Sequence, residues 1–167
     1  SGALVAALAY GLASPVWGWS TTIFGHASVA ALFMIAVWAI WRATRLVPRR
    51  GMAGLAGLAL GWAVVVEFQA VLAGSTIALW ALWRLRALPR DHGLAIVISL
   101  VAGGMVAALP MVAYNLIAFG VPIKFGYSGV VGFDGMQQGF FGLTYPKPYV
   151  LFELLFGLRR GLIWVAP

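Results

Sequence analysis

The chain has no cysteine and very little charge. Without cysteine there is no disulfide framework and no thiolate metal site. Charged residues occupy 9% of its 167 positions, against about 25% in an ordinary soluble domain. The two histidines, His26 and His92, fall in different parts of the chain, so a histidine metal site has too few ligands. No Walker loop, dinucleotide fingerprint, HExxH or GxSxG occurs, which removes the usual water-soluble nucleotide and hydrolase chemistries. What is present is apolar: 63% hydrophobic residues, with a mean hydropathy of +0.98. A water-soluble domain of this size has no interior large enough to hide that surface, and disorder requires the opposite composition. The remaining class is an all-α, polytopic bundle of transmembrane helices.

A bilayer core of roughly 30 Å needs about 20 apolar residues per straight helix, and the pattern predicts about five spans, at residues 2–14, 20–41, 51–67, 69–86 and 93–119. The third and fourth come from one long apolar stretch interrupted by Glu67-Phe68-Gln69. A single helix there would bury Glu67 near mid-membrane, at high cost, and put the two arginine clusters on opposite faces. A hairpin with Glu67 at its apex avoids both. Arg42, Arg45, Arg49 and Arg50, behind the aromatic belt of Trp38 and Trp41, then share the cytoplasmic side with Arg84, Arg86 and Arg90. Seven of the 11 basic residues lie on that side, so the net charge of +7 reads as topology, and no stripe of basic and polar readers suggests nucleic acid. Gly54, Gly57 and Gly61 give one helix small-residue spacing for close packing, and Gly103-Gly104 gives another. Pro110 interrupts the hydrogen bonding of the last span.

Residues 120–160 differ, mixing seven glycines with aromatic residues up to Pro146-Lys147-Pro148. They read as an extracytoplasmic loop carrying a short interfacial helix at 149–157. Residues 161–167 read as the start of a further span, and the chain is expected to be an internal fragment of a longer protein, with no separate soluble domain.

Few side chains can carry chemistry. Glu67 is the one carboxylate inside the apolar sequence, able to orient a hydroxyl, hold a metal or act as a base; a turn residue is the structural alternative. His26, near the same outer side, can bond a phosphate or sugar, or simply another helix. Asp134 sits in Gly-Phe-Asp-Gly, where a tight turn alone accounts for it and a ligand contact is the alternative. Asn115 lies near the outer end of the last span, placed to cap it or bond a neighbour. Arg159 and Arg160 offer guanidinium forks suited to a lipid phosphate or diphosphate, with headgroup anchoring as the alternative.

Three stretches resemble a known group: Ser20-Thr21-Thr22-Ile23-Phe24-Gly25-His26-Ala27; the hairpin from Gly57-Leu58-Ala59-Leu60-Gly61 through Val66-Glu67-Phe68-Gln69-Ala70; and Tyr114-Asn115-Leu116-Ile117-Ala118-Phe119-Gly120-Val121-Pro122 to Gly126-Tyr127, with Leu155-Phe156-Gly157-Leu158-Arg159-Arg160-Gly161-Leu162 downstream. Together they resemble the middle portion of bacterial GT-C-type integral membrane glycosyltransferases. That resemblance implies a multi-pass protein of the bacterial inner membrane that moves a sugar from a polyprenyl-phosphate donor to an extracytoplasmic acceptor. It implies a catalytic carboxylate in an earlier outer loop, outside this chain. Glu67, His26, Arg159, Arg160, Asp134 and Asn115 are then substrate-binding candidates. The resemblance fixes no cofactor and leaves a divalent cation open, and the partners are the lipid-linked sugar and membrane lipid. Two other classes stay open on the residues alone: a transporter or flippase subunit, and a membrane scaffold without chemistry.

Overall fold

The computed structural model describes residues 2–12, 25–45, 49–124, 131–132, 135, 138–139, 144–145, 147–158 and 161–165. Among these residues the regular secondary structure is helical and no strand occurs. The helices are α1 (Gly2–Leu12), α2 (His26–Ala43), α3 (Arg50–Val66), α4 (Ala70–Leu85), α5 (Arg90–Phe119), α6 (Pro148–Phe156) and α7 (Leu162–Val165). The chain divides into two compact units: Gly25–Lys124, and a second that joins Ser1–Phe24 to Phe125–Pro167.

Within the first unit the helix boundaries follow local chemistry. The run Val64-Val65-Val66 places three β-branched residues in succession, which weakens the end of α3. Glu67 then adopts extended backbone, φ −151° and ψ 112°, and its carbonyl accepts the Ala70 N–H at 2.9 Å to open α4. Pro89 precedes α5, whose first turn holds Asp91 against the positive end of the helix dipole. Gly120, at φ +71°, ends α5 in the left-handed conformation, with its N–H bonded to the Leu116 carbonyl. Pro110 lies inside α5 without ending it.

Three groups of core residues fix the topology. Near one end, Val29 of α2 meets Ala63 of α3 and Ala70 of α4. In the middle, Ala39 and Ile40 meet Ala56 and Ala81, with Leu100 of α5 packed against them. At the other end, Ala43, Ala53 and Ile96 cluster with Leu85. Successive helices therefore run up and down, and α3 lies parallel to α5. These two pack through small residues. A Cβ on Gly57 would overlap the Leu100 carbonyl, and one on Gly103 would overlap that of Gly54; one on Gly61 would lie 2.8 Å from the Ala107 Cβ.

The core is mostly alanine, and among the described residues Ile40 is its one large side chain that is fully buried. Large apolar side chains point outward instead: Met34, Trp38 and Trp41 on α2, Leu72, Leu79 and Trp83 on α4, Leu94, Ile98, Met105 and Leu109 on α5. A water-soluble bundle does the reverse. Two helices, α2 at 18 residues and α5 at 30, are long and apolar enough to cross a membrane; α1, α3 and α4 are apolar but shorter.

In the second unit, α6 begins with Pro148 in its first turn and ends at Gly157. It packs against α7, where the Trp164 Nε1–H donates to the Phe156 carbonyl at 3.2 Å. No residue of α1 or α6 is buried.

Candidate functional site

The up-and-down course of α2 to α5 separates two kinds of polar residue. Arg42, Arg45, Arg49, Arg50, Arg84, Arg86 and Arg90 gather at the end where α2 and α4 finish and α3 and α5 begin. His26 and Glu67 occupy the opposite end.

There the extended backbone at Glu67 turns the chain and brings its carboxylate to His26, the first residue of α2. Nδ1 of His26 and Oε2 of Glu67 are 2.8 Å apart, which is the one ion pair among the described residues. The Glu67 side chain is 17% exposed and that of His26 49%, so the pair sits at the edge of the bundle, open to the outside. The span expected at 20–41 contains its helix from His26 only; residues 20–24 lie outside those described. Gly25 precedes the helix because the chain there touches α3: a Cβ on Gly25 would stand 2.6 Å from the Val66 Cγ1. That approach puts His26 within reach of Glu67.

The chemistry of the pair follows from its geometry. An ionised carboxylate only accepts, so Nδ1 carries the proton it shares with Glu67. The ring is thereby oriented, and Nε2 is its second nitrogen, an acceptor when the ring is neutral and a donor when it is charged. Such a pair can take a proton from a hydroxyl or donate a charge-assisted hydrogen bond to a phosphate or sugar oxygen. No group of three or more metal-ligating side chains exists among the described residues.

Asn115 is buried at 3% exposure, and its Nδ2 donates to the Pro122 carbonyl at 3.4 Å. It ties the end of α5 to the turn that follows. Asp134, Arg159 and Arg160 lie outside the described residues. The other polar centre, at the arginine end, escaped the sequence reading. Buried Thr44 donates its hydroxyl proton to the Ile40 carbonyl at 2.9 Å and accepts the Arg84 Nε–H at 3.1 Å. Around it, Arg42 faces the Trp38 ring at 5.9 Å, Arg45 covers Trp41 at 3.8 Å and Arg84 faces Trp80 at 5.9 Å. All three pairs have i, i+4 spacing, which was visible in sequence; the Thr44–Arg84 bond, 40 residues apart, was not.

No protein-family profile matches the chain, and no curated protein or solved structure shows significant similarity to it.

Proposed function

We propose that this chain is the helical membrane part of a glycosyltransferase of the bacterial inner membrane, with its arginine end in the cytoplasm and the His26–Glu67 pair facing the extracytoplasmic side. The membrane reading is supported by a bundle with alanine inside and large apolar side chains outside. The orientation is supported by the seven arginines at one end behind a tryptophan belt.

The observation that carries the functional reading is the 2.8 Å His26–Glu67 contact at the opposite end. A charge-capable pair facing outward from the end of an apolar bundle is placed to meet a polar substrate group there. The pair would bond the sugar or phosphate of a polyprenyl-phosphate donor. The acceptor hydroxyl would attack the anomeric carbon with inversion as the polyprenyl phosphate leaves. A carboxylate outside this chain would remove the hydroxyl proton. Guanidinium groups would stabilise the charge growing on the leaving phosphate.

The test is sugar transfer from a radiolabelled polyprenyl-phosphate donor in membranes containing the intact protein. Glu67→Gln and His26→Ala are expected to lower transfer at least tenfold, with unchanged protein levels. Wild-type rates in both would remove the pair from the site. Orientation is checked separately, since the chain has no native cysteine. A membrane-impermeant maleimide should label Val121→Cys in intact spheroplasts and Ala87→Cys only after lysis; the reverse pattern overturns the orientation.

A further inference from the structure

At the arginine end, an apolar cavity and an arginine-lined depression meet at one residue. The cavity, of about 150 Å³, lies between the helices and is lined by Ile40, Ala81, Leu82, Leu85 and Ile96, with Thr44 at its edge. The depression, of about 380 Å³, is lined by the same Thr44 with Trp83, Arg84, Arg86 and Ala87. The cavity shares Ala78, Leu100 and Val101 with a neighbouring open groove of about 260 Å³, lined by Gly57 and Gly61 of α3 and reaching Val71. From Leu85 to Val71 along α4 is about 21 Å at 1.5 Å per residue. One leaflet's hydrocarbon is about 15 Å thick, so the apolar path is more than long enough for one acyl chain lying along the bundle.

We infer that this is a binding site for an anionic phospholipid of the cytoplasmic leaflet, with its phosphate in the Arg84–Arg86 depression and one acyl chain in the groove between α4 and α5. The headgroup end has the right charge and no competitor. Thr44 holds Nε of Arg84 and leaves the Nη side of the guanidinium fork for a ligand, and no carboxylate among the described residues pairs with Arg84 or Arg86. Trp80 and Trp83 belong to the tryptophan belt, so the depression sits at headgroup depth. Because Thr44 lines both spaces, phosphate and chain can be held by one molecule. Basic recesses between membrane helices on the cytoplasmic side are suited to such lipids. The inference rests on the membrane reading above and not on sugar transfer.

The test is native mass spectrometry of the delipidated full chain released from detergent micelles, titrated with dioleoyl phosphatidylglycerol, with dioleoyl phosphatidylcholine or with inorganic phosphate. Phosphatidylglycerol is expected to bind at least tenfold more tightly than phosphatidylcholine, and phosphate alone not to be retained. Arg84→Gln with Arg86→Gln should reduce phosphatidylglycerol binding about 30-fold, or about 2 kcal/mol at about 1 kcal/mol per arginine and 1.4 kcal/mol per tenfold. Ala78→Phe, which narrows the groove, should weaken both lipids together. Equal binding of the two lipids, retention of phosphate alone, or an unchanged double-glutamine variant would each overturn the site. Alkaline carbonate extraction of the wild-type chain separates the two failures. A chain that stays with the membrane but shows no preference refutes the lipid site alone, whereas a chain that is extracted refutes the membrane reading.

Discussion

Two glycines three residues apart on α3 should respond oppositely to the same substitution. Alanine is the better helix former by about 0.8–1 kcal/mol, and that gain applies equally to Gly54 and Gly57. It therefore cancels when Gly54→Ala and Gly57→Ala are compared, leaving only packing. At Gly54 the added Cβ would stand 3.7 Å from the Ser99 carbonyl oxygen, an ordinary contact. At Gly57 it would stand 2.7 Å from the Leu100 carbonyl carbon and overlap the oxygen. The obstacle is backbone, which cannot swing aside as a side chain can. Either α3 and α5 separate or the strain stays, at a cost of about 1–3 kcal/mol for one methyl in a filled interface. At about 2 kcal/mol, and about 2–4 °C per kcal/mol for a chain of this size, Gly57→Ala should melt about 4–8 °C below Gly54→Ala. The assay is thermal unfolding of the purified chain in one detergent, followed by tryptophan fluorescence. Gly57→Ala melting level with or above Gly54→Ala would refute the close α3–α5 contact.

Other outcomes follow from single contacts. A double-mutant cycle on His26→Ala and Glu67→Gln should give a coupling of about 0.5–1 kcal/mol in stability, since half the histidine is solvated and the pair is screened accordingly. Zero coupling in denaturant titrations would mean that the pair does not form. Thr44→Val keeps the side-chain shape but leaves the Arg84 Nε–H without its acceptor; it should cost about 1 kcal/mol in the same titration, and no loss would remove the bond. Asn115→Ala frees the Pro122 carbonyl and should cost about 1 kcal/mol or less, given a long bond of 3.4 Å. Hydrogen exchange at residues 120–124 should speed up relative to wild type, and unchanged protection there would show that Asn115 does not hold that turn.

Much of the architecture follows from the sequence because the relevant signals are local. Low charge and long apolar runs point to membrane helices. Glu67-Phe68-Gln69 marks the break between α3 and α4, and the glycine-rich stretch from Gly120 marks the end of α5. The spacing of Gly54, Gly57 and Gly61 names the contact face of α3, and the tryptophan–arginine pairs name the end of the bundle. Each of these is decided within a few residues of backbone, by propensity, capping or side-chain period.

The sites themselves depend on which helices become neighbours. His26 meets Glu67 across 41 residues, and Arg84 meets Thr44 across 40. Sequence placed His26 and Glu67 on the same side but gave no reason for them to touch; the contact arises because the start of α2 closes on the end of α3 at Gly25 and Val66. The alanine core and the groove between α4 and α5 are likewise products of packing. An apolar residue on a helix with hydrophobic side chains all round has no face preferred by water. Only the fit of small residues against neighbouring backbone selects which side turns inward.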